Sequence, residues 1–226
     1  MPTFDGITLF MHLIKTGGST ICNHMITHCP ENTHDQDAPH TGGGRITFYA
    51  GHNVRYGIHR HLARECRYMT IVRDPADWYV SVYNHQMARD GVANPPPFEE
   101  WLDFNGTNSV NTLTFGRNAM FRWFVKSFAE SETMDAAKNL LNICFFVGIT
   151  DKLDMDLPGL FEGLGAPSTY ENKRVAGEYD EIDRVYIKKV YELTNDMREK
   201  IYRENPLDME LYQEGLKIWE LNHGGR

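Results

Sequence analysis

The stretch Phe10-Met11-His12-Leu13-Ile14-Lys15-Thr16-Gly17-Gly18-Ser19-Thr20 decides how the rest of the chain is read. An apolar run from Ile7 to Ile14 has the character of a buried strand. A lysine, two glycines and three hydroxyl residues follow, and a helix-like pattern begins near Ile21. Glycines let the backbone turn tightly and bring its N–H groups close to a ligand. The start of a helix adds unpaired donors and a partial positive charge. Lys15 contributes a mobile full charge, and Thr16, Ser19 and Thr20 contribute hydroxyls. Together these make a strand–loop–helix cradle for a phosphate-like group. It is not a Walker A loop, in which the lysine comes after the glycines; here it comes before them.

With 226 residues, 41% hydrophobic and 24% charged, the chain reads as one globular domain over 1–226, with a helical segment at about 181–221. A formal charge of −8 argues against general nucleic-acid binding. It also means that an anionic ligand must be held by a local group of cations. Cys22, Cys29, Cys66 and Cys144 are too scattered for a disulfide framework or a Cys-x-x-Cys zinc site. No leader-like segment opens the sequence, and no apolar run is long enough to span a membrane. The expectation is a soluble cytoplasmic protein, or a lumenal one if the sequence is an excised domain.

Working outward, Ser19 to His28 is expected to be helical with a hydroxyl residue as its N-cap, and 30–44 to be loop. Strands are expected over 45–50, 67–72 and 143–148, the last apolar throughout as if covered on both faces. Helices are expected over 56–65, 75–89, 98–104, 117–128, 133–141 and 151–164. The recurrence of Ile182, Tyr186, Val190, Leu193, Met197 and Ile201 suggests one long helix closed by Pro206, with a last segment over 208–219. Strands alternating with helices give an α/β fold with a central, mostly parallel sheet. Ligands then bind beyond the carboxyl ends of the strands. Three such ends carry reactive residues: Lys15 to Thr20, Gly51-His52, and Arg73-Asp74-Pro75.

In Val72-Arg73-Asp74-Pro75-Ala76-Asp77-Trp78-Tyr79-Val80-Ser81-Val82-Tyr83, Arg73 sits at a strand end and Ser81 about two turns into the following helix. Their fork of N–H donors and single hydroxyl could converge on one anion. Phe-x-His-x-x-Lys-Thr-Gly-Gly-Ser-Thr followed by Arg-Asp-Pro-x-x-x-x-x-Ser-x-Tyr resembles the sulfotransferases that use 3′-phosphoadenosine 5′-phosphosulfate (PAPS). The likeness is to their carbohydrate branch, which contains the heparan sulfate 2-O- and 6-O-sulfotransferases. It extends more weakly through Val147 to Asp154 and through Asn172-Lys173-Arg174. Ile14 departs from it, since many relatives carry proline there.

The resemblance implies a nucleotide-kinase-like sulfotransferase fold. It also implies that Lys15, Thr16, Gly17, Gly18, Ser19 and Thr20 meet the 5′-phosphosulfate, and that Arg73 and Ser81 meet the 3′-phosphate. Lys173 and Arg174 would close over that phosphate from a late loop. Sulfuryl transfer needs a base for the attacking hydroxyl and a cation on the leaving oxygen. Lys15 suits the second role. His52, in the Gly-His setting of the branch, suits the first, because histidine titrates near neutral pH. The product would be adenosine 3′,5′-bisphosphate, no metal is expected, and the acidic composition favours a neutral or lightly charged glycan or a small alcohol as acceptor.

Other residues read more plainly. His12 and His85 suggest supporting roles, and His24 with His28 lacks the glutamate of a His-Glu-x-x-His metal site. Two further readings stand at this point: a P-loop-like nucleotide kinase, and a nucleotide-binding homologue without catalysis.

Overall fold

The computed structural model describes residues 4–35, 45–89, 96–103, 116–170, 179–180, 185–186 and 191–224. Five strands form one sheet: β1 (Ile7–Met11), β2 (Thr33–Asp35), β3 (Phe48–Gly51), β4 (Cys66–Val72) and β5 (Cys144–Ile149). Their order is β2-β3-β1-β4-β5, and every neighbouring pair is parallel. Among the described residues eight α-helices accompany them: α1 (Gly18–His28), α2 (Pro75–Arg89), α3 (Phe98–Asp103), α4 (Ala119–Phe128), α5 (Met134–Ile143), α6 (Leu153–Gly163), α7 (Asn195–Glu204) and α8 (Pro206–His223). A short antiparallel pair, β6 (Tyr179–Asp180) and β7 (Val185–Tyr186), precedes α7. The expected α/β class with a parallel sheet is what the chain adopts.

Residues along β1 alternate between the two layers of the core, as strand geometry requires. Leu9 and Met11 pack with Trp78 and Tyr79 of α2, Phe124 of α4 and Leu211 of α8. Phe10, between them, packs with Ile21 and Met25 of α1 and with Leu157 and Phe161 of α6. Burial on both faces explains why Ile7–Met11 is fully buried and shows no polar alternation. On the layer of α2, α8 crosses so closely that a Cβ on Gly215 would lie 2.5 Å from Val72 Cγ2.

Topology places the site. From β1 the chain runs through α1 to the edge strand β2 and returns to β3 beside β1. It then crosses to β4 on the other side of β1. The carboxyl end of β1 is therefore the switch point of the sheet, where open α/β folds bind ligands. Met11 lies opposite Gly51 of β3 and Thr70 of β4, so the loops after these three strands emerge side by side.

Several local expectations are corrected. Helix α1 begins at Gly18 with Gly17 as N-cap, and no hydroxyl residue takes that place. Gly17 has φ 87°, a conformation that only glycine adopts without penalty. Within the expected loop 30–44, Thr33–Asp35 forms β2, too short and polar to show a pattern. Residues 45–47 lie outside β3, and of 56–65 only Ile58–His61 is helical, as a 3₁₀ segment after Gly57 at φ 96°. Strand β5 is covered on both faces only in its second half: Phe145 is 39% exposed, with Arg67 lying over its ring.

The expected helix across 181–221 is interrupted at both ends of its first half. Val185–Tyr186 is strand, and Thr194 caps α7 by accepting a hydrogen bond from the Met197 N–H. The spacing of Leu193, Met197 and Ile201 fits a helix, but Tyr191 is drawn away to α3, its ring 4.4 Å from that of Phe98. Ile182 and Val190 lie outside the described residues, as do Lys173 and Arg174.

Candidate functional site

Four successive carbonyls after β1 each accept a side-chain hydrogen bond. Thr16 Oγ1 donates to Leu13 O (2.8 Å), Trp78 Nε1 to Ile14 O (2.8 Å), Arg73 Nη1 to Lys15 O (3.0 Å) and Thr150 Oγ1 to Thr16 O (2.9 Å). Three of the donors come from α2 and from the ends of β4 and β5. A trans peptide sets its N–H opposite its C=O. The clamped carbonyls therefore turn the N–H groups of Lys15, Thr16 and Gly17 toward the other side of the loop. Positive φ at Lys15 (60°) and Gly17 (87°) curls these N–H groups into the kind of concavity that holds anions.

The first turn of α1 continues this donor surface. Its Gly18 and Ser19 N–H groups come before the first intrahelical bond, in which the Thr20 N–H donates to Gly17 O (3.1 Å), and no acidic residue stands in that turn. Gly18 is required by packing, since a Cβ there would lie 2.2 Å from His12 Cδ2. Thr16 is fully buried with its hydroxyl committed to Leu13 O, so what it can offer a ligand is its backbone N–H. Thr20 is also buried, and Ser19 is partly exposed beside it.

Arg73 leaves the end of β4 beside this loop. Burial pushes its pKa down, while the carboxylates of Asp77, Asp74 and Asp151 push it back up. Among the described residues no carboxylate comes within ion-pair distance of it. Asp74, its neighbour in sequence, is engaged elsewhere. Asp74 Oδ1 accepts the N–H groups of Ala76 (2.9 Å) and Asp77 (3.2 Å), capping α2, and Arg198 of α7 donates to the same oxygen (2.9 Å). Tyr202 donates to Oδ2 (2.6 Å), and Arg198 also reaches Asp77 Oδ1 (2.7 Å). Ser81 lies one turn after Trp78 on α2, on the face from which the indole reaches the loop. Lys15, Gly17, Gly18, Ser19, Thr20 and Arg73 thus lie at the carboxyl ends of β1 and β4, while Ser81 stands six residues into α2.

His52 follows β3 on the opposite flank of β1. Its Nδ1 lies 2.6 Å from the His12 carbonyl, which can only accept, so Nδ1 carries the proton. In the neutral ring Nε2 is then the acceptor. The ring sits 4.4 Å from that of His12 and meets Trp123 of α4 edge to face at 5.6 Å. His12 itself is buried and stacked on Phe10. Such an arrangement can hold an anion on one flank of β1 and take a proton on the other.

Sequence reasoning did not pick out Trp78, Thr150 or Arg198 as parts of the site. Thr150 lay within the noted 147–154 junction, but nothing in a sequence signals a hydroxyl aimed at a carbonyl. Among the described residues no group of three or more His, Cys, Asp or Glu gathers as a metal site, and no helix is long and apolar enough to cross a membrane.

A sulfotransferase from Alicyclobacillus acidocaldarius has a similar solved structure. The TM-score is 0.55 at 11% sequence identity, over 93% of this chain and 95% of that one. At this identity the likeness is one of fold. No family model matches the chain, and no curated protein matches it in sequence.

Proposed function

We propose that the chain is an O-sulfotransferase that takes the sulfuryl group of PAPS and delivers it to a hydroxyl of a glycan or small alcohol. The observation that carries this reading is the clamped loop: with four carbonyls held from behind, its N–H groups face a ligand together with the start of α1. PAPS is anionic at two separated places, and the donors fall into two matching groups. The N–H groups of the loop, Lys15, and the hydroxyls of Ser19 and Thr20 suit the 5′-phosphosulfate. The donors of Arg73 not spent on Lys15 O, with the Ser81 hydroxyl, suit the 3′-phosphate, and Lys173 and Arg174 would add to them. When bound, PAPS supplies an activated sulfuryl group on a phosphate leaving group.

The chain's own residues then have distinct tasks. Lys15 sets a positive charge where negative charge grows on the leaving oxygen. His52 takes the proton of the acceptor hydroxyl on Nε2, while its Nδ1–H stays on the His12 carbonyl and holds the ring in place. The fixed N–H groups need no reorganisation as charge develops. An overall charge of −8 suits a neutral or lightly charged acceptor better than a dense polyanion.

A screen of glycans and small alcohols with radiolabelled PAPS tests the reading. Transfer to at least one hydroxyl acceptor is expected from the native chain. The His52→Ala variant is expected to lose at least about a hundredfold in kcat, the scale of general-base catalysis, with nucleotide affinity within about twofold of native. Full activity in that variant would remove His52 from the chemistry.

A further inference from the structure

Arg73 stands among three carboxylates whose charges reach it, those of Asp77, Asp74 and Asp151. Yet its Nη1 donates to a backbone carbonyl, Lys15 O, at 3.0 Å. The carboxylates nearest in sequence are taken by a different cation. Arg198, on α7, spans both: Nη1 to Asp74 Oδ1 at 2.9 Å and Nη2 to Asp77 Oδ1 at 2.7 Å. Tyr202, one turn later on the same helix, donates to the second oxygen of Asp74 and to this network also gives its oxygen, 3.1 Å from Arg198 Nη1. The Asp74 side chain is only 16% exposed, so its charge is poorly screened by water.

Left unpaired, Asp74 and Asp77, whose charges act on Arg73, would compete with any incoming anion. We propose that Arg198 is a positioning residue for the anion site: by occupying the Asp74 and Asp77 carboxylates it leaves the Arg73 guanidinium to the anion. The proposal rests on the reading of Arg73 as an anion ligand. It gives α7 a defined electrostatic task. It also explains the order Arg-Asp-Pro: the aspartate caps α2 and docks α7, and the arginine before it is kept out of that pairing.

Titration of the full chain with adenosine 3′,5′-bisphosphate tests this, with a thermal melt to verify folding. The native chain is expected to bind. Arg198→Met is expected to bind about tenfold more weakly, as Arg73 turns to the unmasked carboxylates. Adding Asp77→Asn to that variant is expected to restore most of the loss, because one competing charge is removed while the Asp74 cap on α2 stays. Arg198→Lys keeps the charge but gives up the fork that spans the two carboxylates, and is expected to fall between native and Arg198→Met.

Native-like affinity in a folded Arg198→Met variant would overturn the proposal. So would a loss that Asp77→Asn does not rescue, since a merely structural role of Arg198 predicts that. A tenfold loss in Arg198→Lys would do the same and serves as the test if Arg198→Met does not fold. Absence of binding by the native chain would instead strike at the anion-site reading itself.

Discussion

Lys15 is held at φ 60°, a left-handed conformation that costs a non-glycine residue about 1–2 kcal/mol. The cost is offset by the clamps on either side of it, each a hydrogen bond worth about 1 kcal/mol. Thr150 is the clamp most open to test, because its hydroxyl joins Thr16 O and Val72 O, tying the loop to the end of β4. Thr150→Val keeps the shape and loses the donor. We expect roughly fivefold weaker binding of adenosine 3′,5′-bisphosphate, and near-native binding in Thr150→Ser, as measured by calorimetry. Equal affinity in all three would remove Thr150 from the loop's support. At this scale the sequence told where the reactive residues gather, through a β-rich run broken by glycines. It did not tell which way each hydroxyl points. Thr16 reads as a ligand donor and is a clamp, because direction is set by the packing partners of a fold not yet assembled.

Helices α4 and α8 cap each other, with residues distant in sequence serving as caps. Asn205 Oδ1 accepts the Asn118 N–H (2.8 Å) and Asp208 Oδ1 the Phe121 N–H (2.7 Å), while Asn118 Oδ1 accepts the Leu207 N–H (2.8 Å). The Tyr79 hydroxyl accepts the Ala119 N–H and lies 3.0 Å from Asp208 Oδ2. Asp208 is fully buried, and burial pushes its carboxyl up to about 7, against the pull of the donors around it. The native state therefore holds a proton that the unfolded chain releases near pH 4. Its stabilising contribution is complete below that pH and is lost as pH rises through about 7.

Asp208→Asn keeps the shape of the protonated acid and has nothing to titrate. Thermal melts between pH 5 and pH 8 are expected to show the native chain losing stability relative to this variant, on the order of a few kcal/mol. Parallel pH profiles would contradict the account. None of this network was legible in advance, since Asn118, Asn205 and Asp208 are ordinary turn and cap residues that meet only across the fold. Elements themselves were read best where long and buried. Strands β1 and β4 and helix α2 stand close to expectation, whereas β2, three residues joined to the sheet through β3 alone, gave no signal.

For the molecule as a whole, strand order does the decisive work. Placing β1 between β3 and β4 brings Lys15, His52 and Arg73 to one end of the sheet although they are far apart in sequence. The same order gives α7 and α8 a layer against α2, from which Arg198 can reach the arginine's neighbours. The proposed function requires this end of the sheet to hold a nucleotide anionic at two places. Calorimetric titration with adenosine 3′,5′-bisphosphate, on the native chain and on Arg73→Ala, tests it most directly. The native chain is expected to bind at roughly tens of micromolar or tighter, weakened in Arg73→Ala by about 1.5–3 kcal/mol, the scale of a hydrogen bond to a charged group. No binding by the native chain, or an affinity that Arg73→Ala leaves unchanged, would contradict it.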